Sequence, residues 1–300
     1  MVEKNTLFDV MRRDAELVDA GLREFLHTPS ENALLDRLIE AERYSIFAGG
    51  KRIRPILVIE FCRLFGGTEA AAVPFAMAVE MIHTASLIHD DMPAIDDDEL
   101  RRGRPTNHTV FGEATALLAG DGLFMDAFSA CSSNTAVEPR AVADAVKLLA
   151  AAVGTHGLVG GEFVDVLGES ESLDHDSLLL MNRYKTGALI RVAAQLGCLA
   201  AGVPVDDGRM RAAEVYAESI GLAFQIIDDI LDVTGSAEVL GKNPGQDAKE
   251  NKTNYLSFYP IDTAALHARE LTEKAIGAIS DYEGSDFLVS LAGYLASRES

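Results

Sequence analysis

The chain has 300 residues, with 26 Lys and Arg against 47 Asp and Glu, giving a formal net charge of −21. Nucleic-acid binding needs clustered cations that neutralise phosphates, so this charge disfavours a nucleic-acid-binding protein and a resting place on an anionic membrane. Hydrophobic residues make up 48% and charged residues 24%, as in an ordinary globular domain, and the acid excess suggests carboxylates gathered around divalent cations.

Nearly every segment carries apolar residues at steps of three and four, which predicts helices rather than strands. The stretch 74–91 shows this period, and it recurs over 178–200 and 210–232. Glycine and proline separate the periodic segments, and no polar linker or repeat divides the chain. The sequence predicts one all-α domain over residues 1–300, a bundle of about ten helices without a sheet.

Three widely spaced cysteines form no CxxC pair, a pattern that predicts neither a disulfide framework nor a zinc site. The first residues have mixed charge and lack the apolar region of a signal peptide. Uncharged apolar runs such as 192–205 stop near fourteen residues, short of the roughly 18 that span a bilayer. We therefore expect a cytoplasmic protein with no stable membrane insertion.

Two aspartate clusters follow apolar helical stretches. They have the sequences DDMPAIDDDE (90–99) and DDILD (228–232). In a helix, Asp228 and Asp232 share a face and Asp229 lies beside them. Carboxylates this close repel one another unless a cation is present, and Mg²⁺ prefers such oxygen ligands. Aspartates can also simply solvate helix ends, but two such clusters favour a magnesium site.

Within the first cluster, Asp90 and Asp96 are six residues apart, which places them on different sides of an unbroken helix. Pro93 lies between them and cannot continue a regular hydrogen-bond ladder. A bulge at this proline would return Asp96 towards Asp90. Asp97 is the alternative partner of Asp90, since it lies seven residues after Asp90, which is almost two full helical turns.

The basic residues concentrate in four short motifs, which in an acidic protein indicates anion binding. Arginine offers a planar fork for phosphate oxygens and lysine a point charge. The motifs are Gly49–Pro55 (GGKRIRP), Arg101-Arg102, Tyr184–Gly187 (YKTG) and the pair Lys242 and Lys252. One such motif would be weak evidence, because charged runs are usually solvated loops. Four of them alternating with two aspartate clusters predict a diphosphate site.

These motifs together resemble the trans-isoprenyl diphosphate synthases, which include the farnesyl and geranylgeranyl diphosphate synthases. GGKRIRP, EMIHTASLIHDDMPAIDDDELRRGRPTNH, YKTGALI, GLAFQIIDDILD and the two loop lysines stand in the family's order from Gly49 to Tyr255. The resemblance implies helices around a central apolar cavity, with the two aspartate clusters facing each other across its mouth. It also implies a homodimer.

The resemblance assigns roles to individual residues. Three Mg²⁺ would bind the allylic diphosphate through Asp90, Asp96 and Asp228, supported by Asp91, Asp229 and Asp232. The rest of the allylic site would be Arg101, Lys185, Thr186, Gln225, Lys242 and Lys252. Isopentenyl diphosphate would be held by Gly50, Lys51, Arg54, His83 and Arg102. Without the resemblance, His83 would be read as an ordinary core histidine.

The implied reaction is ionisation, condensation and elimination. Cations stabilise the departing diphosphate, the double bond of isopentenyl diphosphate attacks the allylic carbocation, and an apolar cavity excludes the water that would quench it. The alternatives are a non-catalytic subunit of a heteromeric synthase and a terpene cyclase. Both aspartate motifs are intact, which disfavours the first, and Lys51 and Arg54 disfavour the second.

The sequence departs from the family at some positions. Glu162, in GGEFVD, stands where the family commonly has glutamine, and the chain given ends in Arg-Glu-Ser where a basic tail is common. Ala85 stands five residues before Asp90, where farnesyl-type enzymes carry an aromatic ring, and Ser86 follows it. The missing ring predicts a product longer than C15, most simply the C20 geranylgeranyl diphosphate, with Met81, Phe124 or Phe128 as a deeper floor. A neighbouring helix that fills the gap would leave the product at C15.

Overall fold

The structure is a computed structural model that describes residues 4–27, 30–234 and 253–297. Its α-helices are α1 (Lys4–Phe25), α2 (Ala33–Ile46), α3 (Ile53–Leu64), α4 (Glu69–Asp90), α5 (Asn107–Phe111), α6 (Glu113–Ser132), α7 (Pro139–Val153), α8 (Leu158–Gly168), α9 (His175–Asn182), α10 (Ala188–Ala200), α11 (Gly208–Thr234), α12 (Ile261–Ile279) and α13 (Asp286–Ala296). A π-helical turn, Arg183–Gly187, joins α9 to α10, and a 3₁₀ turn spans Tyr255–Ser257. The all-α prediction is confirmed.

These ranges contain thirteen α-helices rather than about ten, because some breaks carry little signal in the sequence. Gly112, with φ of +84°, separates the five-residue α5 from α6. A two-residue hairpin also forms, in which Leu100–Arg101 pairs with Arg104–Pro105. Its central residues Arg102 and Gly103 both have positive φ (54° and 73°), as a tight hairpin turn requires.

The core of the bundle is α10, whose residues 188–190 and 192–200 are all buried. This helix packs against α3, α4, α7 and α11. Apolar residues on most sides explain the burial, and the two polar residues, Arg191 and Gln195, pair with Glu218 and Glu214 on α11. Because α4 and α11 both pack on α10, the helices that carry the two aspartate clusters lie on the same central element.

Gly197 allows α10 to approach α3 closely. A Cβ atom at this position would lie 2.5 Å from the Val58 carbonyl oxygen and 2.7 Å from the Phe61 Cβ. We expect Gly197→Ala to lower the free energy of unfolding by about 1–3 kcal/mol through overpacking, although alanine is the better helix former. Gly277→Ala is the matched control, since it meets no atom within 4 Å and should raise stability slightly. Denaturant unfolding of both variants measures the difference; equal stabilisation would contradict the close approach.

Two stretches are long and apolar enough to cross a membrane by length and composition alone. The first is Glu69–Asp90, which is α4, and 72% of its most apolar window is buried in the bundle. The second is Pro139–Gly168, which comprises α7 and α8, and 28% of its window is buried. Core helices pass the same test, so the expectation of no membrane insertion stays a prediction.

Candidate active site

The first aspartate cluster lies where α4 ends. The helix stops at Asp90, and the following turn brings the Asp96 backbone N–H to the Asp90 carbonyl oxygen at 2.9 Å. The Asp97 N–H donates to the Met92 carbonyl (3.1 Å), and Asp97 itself has φ of +52°. The chain therefore folds back around Pro93 in a turn after the helix has ended, rather than in a bulge within the helix, and it is the Asp96 backbone that returns to Asp90.

The carboxylates of this cluster are partly withdrawn from water. Asp90 is 8% exposed, and burial, followed by the charge of Glu162, raises its pKa well above the usual range. Burial raises the pKa of Asp91 to about 6, against the opposing effect of Arg101, whose Nε donates to Asp91 Oδ1 at 2.5 Å. Such crowding of buried acids is costly without a counter-charge, and a bound cation would relieve it.

The second cluster lies on the last turns of α11, which continues to Thr234 and so keeps Asp228 and Asp232 on one face as predicted. Asp229 Oδ2 accepts a hydrogen bond from the Tyr255 backbone N–H at 2.7 Å. Asp232 is 4% exposed, and neither of its carboxylate oxygens has a hydrogen-bond partner among the described residues. A buried carboxylate without a partner is expensive, which again fits a cation.

The π-helical turn before α10 connects the two clusters. Lys185 Nζ pairs with Glu162 and Asp165 on α8, and its charge also acts on Asp90. Thr186, next in sequence, donates from Oγ1 to Gln225 Oε1 at 3.1 Å. Gln225 lies one turn before Asp228 on α11. The predicted residues Lys185, Thr186 and Gln225 thus link both aspartate clusters, and π-turns of this kind are frequent at functional sites.

The six aspartates suit Mg²⁺ by their chemistry. Among the described residues, no three His, Cys, Asp or Glu side chains already converge as a complete ligand set. Mg²⁺ does not require one, because it takes one or two carboxylates and completes its shell with water and substrate phosphates. The unpartnered oxygens of Asp232 and the crowded acids around Asp90 fit that mode of binding.

A separate cavity of about 450 Å³ gathers the predicted residues for the second diphosphate. Gly50, Lys51, Arg54, His83 and Arg102 all line it. Its other lining residues are Ala48, Arg52, Ile53, Glu80, Ile190, Ile220, Phe224 and Leu295. Cations therefore meet apolar residues of α10 and α11 in one space, as binding a diphosphate with a short hydrocarbon tail requires.

Arg54 and His83 form the inner part of this cationic wall. The Arg54 guanidinium donates from Nη1 to His83 Nε2 at 3.3 Å, and Arg54 Nε is buried without a hydrogen-bond partner among the described residues. Burial, followed by the charges of Arg54, Arg102, Arg101 and Arg52, lowers the pKa of His83 well below its usual value. His83 is therefore neutral at pH 7, and Arg54 retains an unused donor.

Sequence reasoning missed Arg52 and Glu80, which brace the cavity. Arg52 has φ of +52° before α3, and its guanidinium pairs with Glu80 (2.5 Å) and Asp19 (3.0 Å) and donates to the Ile46 carbonyl. A signal for Glu80 was available, because it is the only acidic residue inside the apolar stretch 74–89 and lies three residues before His83. For Arg52 there was none, since GGKRIRP does not reveal which cation turns inward.

The C-terminal helix α13 also reaches this cavity, which the sequence did not indicate. Leu295 lines it, and Lys51 Nζ lies 5.6 Å from the centroid of the Tyr294 ring. That distance is within the range of a cation–π interaction. An aromatic ring from the end of the chain thus accompanies Lys51 in this structure.

The residues predicted to set product length lie along the α4–α6 contact. Ala85 and Met81 are fully buried, whereas Ser86, Phe124 and Phe128 are partly buried. One turn after Ala85, His89 packs on α6, with its ring 5.6 Å from the Phe124 ring and its Nε2 3.1 Å from the Leu117 carbonyl oxygen. Ala85 shares that face of α4, so its missing ring would have pointed towards α6.

Two predicted residues, Lys242 and Lys252, lie outside the described residues. Asp228 lies with its predicted neighbours on α11, half-buried.

Arg101 is held at the first cluster by Asp91 and by Asp98 (3.3 Å). Arg102 points the other way, towards the second cavity, and donates to the Gly49 carbonyl oxygen. The side chains of the two adjacent hairpin arginines therefore lie at two different places, Arg101 at the first aspartate cluster and Arg102 at the second cavity.

The fold and this geometry define a helical protein with paired carboxylate clusters and, beside them, cationic side chains that line a separate cavity. The polyprenyl synthetase family model matches residues 36–286, so the chain belongs to that family and is a prenyltransferase. Geranylgeranyl pyrophosphate synthase 11, chloroplastic, from Arabidopsis thaliana is 43% identical over 99% of this chain and 84% of its own.

Two further proteins show the range of the similarity. The heterodimeric geranylgeranyl pyrophosphate synthase large subunit 1, chloroplastic, of Arabidopsis thaliana is 43% identical, over 95% of this chain and 77% of its own. The apo crystal structure of an FPP/GFPP synthase from Zymomonas mobilis has a TM-score of 0.87 and 35% identity, covering 97% of this chain and 99% of its own. The chain is therefore similar to enzymes that make short isoprenoid diphosphates.

Proposed function

We propose that this prenyltransferase condenses isopentenyl diphosphate with allylic diphosphates, in the presence of Mg²⁺, and releases geranylgeranyl diphosphate. The single observation that carries the proposal is the pairing of two sites. One is the pair of aspartate clusters linked through Lys185, Thr186 and Gln225; the other is the 450 Å³ cationic cavity around Arg54 and His83. A reaction that joins the hydrocarbon chains of two diphosphate substrates, and releases the diphosphate of one of them, needs a site for each substrate.

The first site would bind and ionise the allylic substrate. Three Mg²⁺, held by Asp90, Asp91, Asp96, Asp228, Asp229 and Asp232, would supply positive charge to the leaving diphosphate. Lys185, Arg101 and Thr186 would orient the same diphosphate through charge and hydrogen bonding. We include Lys242 and Lys252 in this role by their place in the sequence.

The second site would hold isopentenyl diphosphate for attack. Lys51, Arg54 and Arg102 would bind its phosphates, and the neutral His83 would keep its ring hydrogen-bonded to Arg54 rather than add charge. Phe224, Ile190 and Ile220 form an apolar wall of the cavity. That wall would exclude water from the carbocation and place the double bond close to the allylic carbon.

Incubation with labelled isopentenyl diphosphate, dimethylallyl diphosphate and Mg²⁺ tests the proposal. An elongated acyclic diphosphate is expected; a hydrocarbon would indicate a cyclase. No product from the protein alone, but product on adding a second subunit, would indicate a subunit of a heteromeric synthase. The similarity to the large subunit of a heterodimeric geranylgeranyl pyrophosphate synthase from Arabidopsis thaliana is the reason to test that alternative.

We predict that Ala85→Tyr shortens the product from C20 to C15, because the ring would project from α4 towards α6, where the growing chain would extend. Conversely, Phe124→Ala should lengthen it by removing a ring from the deeper wall. Chromatography of the dephosphorylated products measures the change, with Ala85→Ser as the control that keeps the volume small. If the wild type yields only C15 and Ala85→Tyr changes nothing, the product is limited elsewhere. Because tyrosine enters a fully buried position, thermal unfolding should be measured alongside.

We also propose that two copies of the chain form a homodimer. Large apolar side chains are exposed on α6, which packs against α4, and on α8: Leu117, Leu118, Met125, Val159, Phe163, Val166 and Leu167. Exposed apolar faces of this kind mark interfaces. Light scattering should give about twice the 32.2 kDa chain mass, and Leu118→Lys with Met125→Lys should reduce it; a monomeric wild type would contradict the proposal.

A further inference from the structure

Lys185 forms ion pairs with two carboxylates, although a single carboxylate would be enough to neutralise its charge. Its Nζ lies 2.9 Å from Glu162 Oε2 and 2.6 Å from Asp165 Oδ2. The two acids are three residues apart and share a face of α8. The helix is pressed against this turn at Gly161, where a Cβ atom would lie 2.1 Å from the Lys185 backbone nitrogen. Burial raises the pKa of Glu162 and the charge of Lys185 opposes that rise. With both acids ionised, the group of three carries a net negative charge in a fixed position.

This excess charge faces the first aspartate cluster. The Glu162 side chain is 15% exposed, and its negative charge, after burial, raises the pKa of Asp90. Asp96 acts on both Asp90 and Glu162. A glutamine at position 162 could still accept a hydrogen bond from Lys185, although a weaker one, and it would carry no charge. The carboxylate therefore adds charge to the cluster rather than a contact.

We propose that Glu162 is a positioning residue whose charge makes the aspartate cluster take up divalent cations before it takes up diphosphate. The inference rests on the proposed function, since it concerns the same site. A further negative charge attracts the cation and repels the free diphosphate anion, and both effects are strong where burial limits screening by water. Bound cations would then attract the diphosphate to the cluster, and Lys185 would contact the diphosphate once it is there.

The test uses Glu162→Gln in the full chain and two binding measurements. Mn²⁺ binding without diphosphate, followed by electron paramagnetic resonance, should weaken by about tenfold, the effect of one lost charge at short range. Inorganic diphosphate binding in chelator, followed by calorimetry, should strengthen by a similar factor. A purely structural role would weaken both. Glu171→Gln, at an exposed position beyond the end of α8, is the matched control and should change neither affinity.

Unchanged affinities in Glu162→Gln, or a loss of both, would overturn the inference while leaving the proposed function intact. The proposed function fails separately, when the wild type makes no elongated diphosphate or when Asp228→Asn binds Mn²⁺ as the wild type does. Opposite shifts of the two affinities are the result that supports the role of Glu162. The three outcomes are distinguishable because the binding measurements do not depend on turnover.

Discussion

Replacing Asp228 by asparagine is expected to lower kcat by more than about 100-fold and leave the fold intact. Asparagine keeps the shape of the side chain but loses the charge. The remaining acids of α11 then hold a cation less firmly, and charge held by the metal contributes several kcal/mol to the departure of a diphosphate. Initial rates over a Mg²⁺ titration measure the effect, which should be largest at limiting Mg²⁺.

The control for this experiment is Asp206→Asn, which removes the same charge from an exposed loop before α11. It should retain wild-type turnover and the wild-type Mg²⁺ dependence. Circular dichroism and thermal unfolding establish that both variants are folded. Near-normal activity of Asp228→Asn at limiting Mg²⁺ would contradict the assignment of this aspartate to the metal.

Truncating Arg54 to alanine is expected to raise the KM for isopentenyl diphosphate selectively. The side chain lies in the second cavity beside His83, and its buried Nε has no hydrogen-bond partner among the described residues. Loss of a charged hydrogen bond costs about 1.5–3 kcal/mol, which is a roughly 10- to 150-fold change in affinity. The KM for the allylic substrate should stay within about twofold, because Arg54 belongs to the other site.

Steady-state kinetics with each substrate varied in turn separates the two effects. Arg54→Lys should recover part of the affinity, since lysine restores the charge without the planar fork. Arg37→Ala, at an exposed position on α2, is the control for removing an arginine. An equal rise in both Michaelis constants would mean that Arg54 serves the allylic diphosphate as well, and that the two sites are assigned wrongly.

The sequence by itself determined the helical class, the two aspartate clusters and the motifs that line the second cavity. Those features follow from local rules. Apolar residues at helical spacing predict helices, Pro93 predicts the turn after Asp90, and a four-residue step places Asp228 and Asp232 on one face. The GGKRIRP motif and His83 were read from order along the chain, and the structure places them in one cavity.

Only the tertiary structure decided which charges meet. Lys185 contacts Glu162 and Asp165 because α8 packs on the π-helical turn, and no spacing in the sequence reveals that contact. Arg52 turns inward to Glu80 while its neighbour Lys51 meets Tyr294 from the far end of the chain. Sequence patterns predict in which helix a residue lies and which face of that helix it occupies. Contacts between helices depend on packing against partners that are distant in sequence, so the charge of a site emerges only when the bundle is assembled.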